Sequence, residues 1–147
     1  MLRNWFDDPF FQVRNAVPGC PTPLGPLTSE DEMRRQTHSR SERGTRCWLA
    51  GGCRLPSSYL YDAGIADAVR IRFASVHALR DASLWITVQR RIVWIDGCVS
   101  PSYKTGVIES LVRNVPDIEL AVVNVARGAG KPVPYRTLDG ARQTSGK

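Results

Sequence analysis

The sequence predicts an α+β domain. We expect a two-layer α-β-β-α-β sandwich with two helices on one face of a three-stranded mixed sheet, preceded by an irregular N-terminal extension. Three observations lead to this prediction: two apolar stripes of helical spacing, three short runs rich in β-branched residues, and the alternation of the two kinds of segment between residues 62 and 126. The length of 147 residues suits one domain with extensions.

Two segments predict the helices. The first begins at Asp62, a suitable N-cap, and the second at Ser100, which is followed by a proline at the first helical position. The second helix ends before Pro116, because the residue preceding a proline avoids helical torsions. The apolar stripes that would face the sheet are Ile65, Val69, Phe73 and Val76 in the first helix, and Val107, Ile108, Leu111, Val112 and Val115 in the second.

Residues 84–88, 92–95 and 118–125 predict the three strands, since they are rich in valine, isoleucine and tryptophan. Only Gln89, Arg90 and Arg91 separate the first two strands, which predicts a hairpin. The type of turn stays open, because no glycine or asparagine supplies a positive φ there. Gly97 is expected to end the second strand and act as a fold glycine.

The two ends of the chain look irregular. Residues 1–61 hold six of the ten prolines and predict an extension with one short helix over about 29–41, capped by Thr28 or Ser29. Residues 127–147 predict a disordered basic tail. Basic and acidic residues balance between residues 62 and 126, so the net charge of +6 comes from the two ends.

The four cysteines lie at positions 20, 47, 53 and 98. Cys47 and Cys53 bracket a short loop with two glycines that can turn back on itself, so a disulfide between them is geometrically plausible. Free buried thiols, and a zinc site that includes Cys20 and His38, are the alternatives. The spacing lacks the closely paired ligands of a zinc site, and we therefore predict no metal.

Catalysis is not expected from these residues. His38 and His77 are far apart, and no Ser/His/Asp or Cys/His arrangement or phosphate-binding loop is recognisable. We predict no enzyme activity, no cofactor and no small-molecule substrate. No apolar run approaches the ~18 residues of a membrane helix, and Arg3, Asp7 and Asp8 interrupt any secretory signal in the first residues.

Residues of about 62–126 resemble a BON domain, a bacterial envelope module. The resemblance rests on the order helix, hairpin, helix, strand and on three segments of the sequence, which read TVQRRIVWIDGCV at 87–99, VPDI at 115–118 and VVNV at 122–125. Two positions differ from the family pattern. The hairpin turn has Arg90 and Arg91 where the family usually has asparagine and glycine, and the corner has Asp117 in place of glycine.

The resemblance implies a non-catalytic module that binds an anionic phospholipid surface or another envelope protein. It also implies a periplasmic or envelope-associated location, whose oxidising conditions favour disulfides. The cytoplasm is the alternative, since the chain as written starts without a signal segment. A protein–protein adaptor that uses the N-terminal extension, or a cytoplasmic nucleic-acid-binding protein, are the other functions considered; the sequence leaves the oligomeric state open.

Four residues are the predicted contacts with lipid or partner: Trp85, Arg90, Arg91 and Lys104. Strand alternation places Trp85 on the sheet face away from the helices, where it is either exposed beside the two arginines or covered by the extension. An exposed tryptophan next to cations suits a lipid interface. Stacking on a nucleobase is less favoured, because the acidic Asp81 and Asp96 lie nearby in sequence.

Overall fold

The computed structural model describes residues 1–130 and 132–145. The predicted α+β class is confirmed, but the sheet has four strands and not three. The strands are β1 (Phe10–Asn15), β2 (Ser83–Gln89), β3 (Ile92–Val99) and β4 (Leu120–Arg127). The helices in the described part of the chain are α1 (Glu30–Leu49), α2 (Asp62–Ala74), α3 (Val107–Arg113) and α4 (Leu138–Ser145).

The sheet has the strand order β1-β2-β3-β4. Strand β2 pairs antiparallel with β1 and β3, whereas β4 runs parallel to β3. The additional strand β1 lies in the segment predicted as irregular. Sequence patterning missed it because it is a short edge strand that follows a proline, and a register shift between Gln12 and Arg14 breaks its alternation.

Helices α2 and α3 pack on one face of the sheet and share one core, as the two apolar stripes predicted. Leu84, Ile86 and Val88 of β2 are fully buried on this face. The other side chains that build the core include Ile65, Val69 and Phe73 of α2, Val93 and Ile95 of β3, and Ile108 and Val112 of α3. Burial of these aliphatic and aromatic groups is the main stabilising term of the domain.

The opposite sheet face is crossed by residues 16–28 and 132–138. A disulfide joins Cys20 to Cys98 of β3, and Pro23 forms a β-bridge with Thr137. The Tyr135 hydroxyl donates a hydrogen bond of 2.7 Å to the carbonyl of Pro21. Residues 135–138 thus pair with the segment that crosses the sheet, and the chain continues into α4, in contrast to the predicted disordered tail. Positions 131, 146 and 147 of that tail lie outside the described residues.

Helix α1 is longer than the predicted 29–41. Ser29 caps it by accepting a hydrogen bond from the backbone N–H of Glu32, and the helix continues to Leu49. The polar residues after position 41 include no proline, so nothing stops the helix before Gly51, whose φ is +79°. Gly44 is tolerated inside the helix because it allows Ser57 and Tyr59 to approach closely.

Two other predicted boundaries were wrong. Strand β3 runs through Gly97 to Val99, and a Cβ at Gly97 would overlap the backbone carbonyl of Ser83 on β2. The role of Gly97 is thus close strand approach within the sheet, and not the end of a strand. Helix α3 starts at Val107 and not at Ser100, because Gly106 has a left-handed φ of +96° that interrupts a helical path from position 100.

Candidate binding surface at the hairpin end of the sheet

The β2–β3 hairpin closes in a two-residue turn, with Gln89 paired to Ile92. Arg90 and Arg91 have φ values of +52° and +64°. A turn with two such residues normally holds asparagine and glycine, because long side chains are strained there. Asp117, at the corner before β4, also has a positive φ of +72°. Other contacts must therefore stabilise the hairpin turn.

Asp62 supplies these contacts. Its two carboxylate oxygens accept hydrogen bonds of 2.9 Å from the backbone N–H groups of Arg90 and Arg91. The side chain that was expected to cap α2 thus holds the hairpin turn. Burial raises the pKa of Asp62 from 3.8 to about 6, and the two backbone donors only partly oppose that rise.

A buried ion pair lies beside the turn. The guanidinium of Arg40 on α1 donates two hydrogen bonds, of 3.1 and 2.9 Å, to the carboxylate of Asp8. It lies between the rings of Phe6 and Tyr59, at 4.0 and 3.8 Å from their centroids. Gln89 at the end of β2 donates a further hydrogen bond of 2.8 Å to Asp8. This cluster attaches α1 and the N-terminal segment to the hairpin.

The side chain of Arg91 points into the structure. Its Nη1 lies 3.3 and 3.0 Å from the sulfurs of Cys47 and Cys53, and its Nε donates to the carbonyl of Asp117 at 2.6 Å. It therefore connects the end of α1 to the corner before β4. Arg54 forms an exposed ion pair with Asp117, with N–O distances of 3.1 and 3.2 Å. These contacts place the Cys47–Cys53 loop against the hairpin turn.

Cys47 and Cys53 form a disulfide, which is the first of the alternatives that the sequence left open. All four cysteines are paired in disulfides, and this excludes the zinc alternative. The closed loop carries Trp48 and Leu49, whose surfaces are 46% and 78% exposed. We name Arg46, Trp48, Leu49, Arg54 and Arg90 the hairpin surface. It combines two exposed apolar side chains with three cations.

The four predicted contact residues do not lie together. Arg90 and Arg91 are adjacent in the turn; Arg90 is half-buried, whereas the side chain of Arg91 is engaged by Asp117 and the two cysteine sulfurs. Trp85 is half-buried in the middle of β2, on the face that residues 16–28 cross. Lys104 is exposed in the loop that follows β3, and a strand of this length separates it from the turn by about 23 Å.

The sequence analysis missed the apolar part of the hairpin surface. A signal was available, because Trp48 and Leu49 lie within the segment bracketed by Cys47 and Cys53. A disulfide loop of this size is too small to bury a tryptophan within itself. The pairing of Cys20 with Cys98 left no such signal, since the two residues are 78 positions apart.

Neither a family model, nor a curated protein, nor a solved structure matches this chain. The resemblance to BON domains therefore stays a prediction. Among residues 1–130 and 132–145, no three His, Cys, Asp or Glu side chains are grouped so as to hold a metal ion. None of the helices in that part of the chain has the length and apolar character needed to cross a membrane.

Proposed function

We propose that this chain is a non-catalytic module that binds anionic phospholipid surfaces through the hairpin surface. The observation that supports this most directly is the exposure of Trp48 and Leu49 on a disulfide-closed loop flanked by arginines. Tryptophan suits the boundary between headgroups and acyl chains, since its ring is apolar while its N–H can meet a polar partner. Arg46, Arg54 and Arg90 then lie near lipid phosphates, each contributing about 1 kcal/mol.

The covalent framework supports the same function. A disulfide loop is ordered before it binds, so little conformational entropy is lost when Trp48 and Leu49 enter the interface. Two disulfides also favour an oxidising compartment, which agrees with a periplasmic or envelope-associated location. The ion pair between Arg54 and Asp117 is exposed and therefore weak, so the guanidinium of Arg54 can exchange its partner for a lipid phosphate.

Co-sedimentation with vesicles tests the proposal. The wild-type chain is expected to bind vesicles of equal parts phosphatidylglycerol and phosphatidylcholine, and to bind pure phosphatidylcholine much more weakly. Replacing both Trp48 and Leu49 with serine should weaken binding at least about tenfold, because burying either side chain contributes more than the ~1.4 kcal/mol that corresponds to this factor. The matched control is Ile71→Ser, which removes a 74% exposed side chain near the far end of α2.

The electrostatic part has its own control. Arg46→Ser should weaken binding by about fivefold and reduce its dependence on salt. Arg72→Ser on α2 removes a charge that is exposed as well but lies outside the hairpin surface, and it should have no effect. Absence of binding to the anionic vesicles overturns the lipid proposal. So does binding that the Trp48 and Leu49 substitutions leave at the level of the Ile71 control, and a partner protein would then be the remaining occupant of the surface.

A further inference from the structure

A polar groove lies between α1 and the segments that cross the sheet. It has a volume of about 480 Å³. One wall is a face of α1 on which Glu32, Gln36, Ser39 and Arg43 recur at helical spacing. The opposite wall comprises residues 24–28 and Arg136. We name this site the α1 groove. It has no residue in common with the hairpin surface, although Gln89, which lines one end of the groove, precedes Arg90 in the hairpin.

The groove is lined by four guanidinium groups and a single carboxylate. The carboxylate of Glu32 is engaged by Arg35, at 2.6 and 2.9 Å. Arg40 is neutralised by the buried Asp8. The guanidinium groups of Arg43 and Arg136 have neither a hydrogen-bond partner nor an ion-pair partner among the side chains and backbone groups that the structure describes. Two positive charges on facing walls are therefore left without a counter-charge from those residues.

The wall that carries Arg136 is held in place by the backbone. The carbonyl of Arg136 accepts a hydrogen bond of 2.8 Å from the N–H of Leu24, and the N–H of Leu138 donates to the carbonyl of Thr22 at 2.9 Å. The Cys20–Cys98 disulfide anchors the segment that leads into this wall. The separation of the two walls is thus built into the fold, although the arginine side chains themselves are exposed.

From this charge balance we infer that the α1 groove binds a phosphate monoester. Such a group carries a charge of about −1.5 to −2 near neutral pH, which matches the two unpaired guanidiniums. Guanidinium donors bind phosphate oxygens in paired, directional hydrogen bonds. The amide of Gln36 donates one hydrogen bond of 3.2 Å to Glu32 and has a second N–H for the phosphate. A carboxylate supplies only one charge and would leave one arginine unpaired. This inference does not depend on the lipid proposal.

The monoester has two possible sources, a soluble metabolite and the headgroup of phosphatidic acid. Titration calorimetry with glycerol 3-phosphate tests the first source, with glycerol as the uncharged control. Vesicles that contain phosphatidic acid test the second, compared with vesicles that contain the diester phosphatidylglycerol at equal charge. Saturable binding of glycerol 3-phosphate identifies a soluble ligand, and a preference for phosphatidic acid without it identifies the headgroup.

A double variant separates the groove from general electrostatics. Arg43→Gln with Arg136→Gln should weaken binding of the monoester by at least about tenfold, because both charge-assisted contacts are removed. Arg72→Gln with Arg80→Gln makes the same change in net charge on exposed residues outside the groove, and should alter affinity by less than about twofold. Circular dichroism checks that each variant is folded.

Binding of the monoester to the α1 groove should not depend on the hairpin surface. Trp48→Ser combined with Leu49→Ser should leave binding of glycerol 3-phosphate unchanged, even if it abolishes binding to phosphatidylglycerol vesicles. The inference is overturned if neither glycerol 3-phosphate nor phosphatidic acid binds. It is equally overturned if the groove variant and the control variant lose the same affinity.

Discussion

The two disulfides should stabilise the fold to different degrees. Cys20 and Cys98 are 78 positions apart, whereas Cys47 and Cys53 are 6 positions apart. Because a cross-link restricts the unfolded chain more when it closes a longer loop, the entropy model assigns about 4.5 kcal/mol to the first and about 2 kcal/mol to the second. Cys98 is fully buried, so alanine is the suitable replacement, since it leaves no buried hydroxyl without a partner.

Equilibrium unfolding in urea measures this difference. The pair Cys20→Ala and Cys98→Ala should lower the free energy of unfolding by about 2 kcal/mol more than the pair Cys47→Ala and Cys53→Ala. Reduction of the wild-type chain should lower it by more than either pair. The reasoning is refuted if the two pairs cost the same free energy, or if opening the short loop costs more.

Vesicle binding should be weakened more by opening the Cys47–Cys53 loop than by removing the Cys20–Cys98 disulfide, which is the reverse of the order for stability. Trp48 and Leu49 form the last turn of α1, which the disulfide ties to the chain beyond it. Opening the Cys47–Cys53 loop lets this turn fray, so binding then has to order it at an entropic cost of about 1 kcal/mol per side chain. The Cys20–Cys98 disulfide lies on the sheet face and away from the hairpin surface. A folded Cys20→Ala, Cys98→Ala variant should therefore retain vesicle binding.

Three other substitutions test the fold around the hairpin. Because the pKa of Asp62 is raised in the folded state, its contribution to stability is greatest below pH 4 and is lost as the pH rises through 6. Asp62→Asn should remove up to about 3 kcal/mol of this pH dependence from urea unfolding measured between pH 4 and 7, and parallel curves would contradict that. Gly97→Ala should lower the free energy of thermal unfolding by more than about 3 kcal/mol, because the added Cβ would clash with the backbone of β2. Gly64→Ala on α2 is the control: its added Cβ would contact no neighbouring atom, so the change should be neutral or stabilising. Arg40→Met should cost about 3–5 kcal/mol in denaturant unfolding, since it leaves the Asp8 carboxylate buried without its cation; a loss below about 1 kcal/mol would show that the pair is dispensable.

Local patterning was enough to predict most of the helix–sheet core. The stripe that begins at Ile65 and the alternation of Leu84, Ile86 and Val88 lead to α2 and β2, because each segment can bury its apolar side in only one way. The same periodicity predicted that two helices cover one face of the sheet. Boundaries were less accurate where a single backbone angle decides them, as at Gly106 before α3.

Contacts between distant residues could not be predicted in this way. The turn at Arg90 and Arg91 depends on the carboxylate of Asp62. Strand β1, which the sequence analysis missed, depends on an edge of β2 that is free to pair with Phe10–Asn15. Neither partner has a local signature, since the stabilising atoms come together only once the chain has folded. The hairpin surface and the α1 groove also depend on contacts between distant residues: the first includes a loop closed by two cysteines, and the second lies between separate segments. Their residue types were visible in the chain, but their proximity was not.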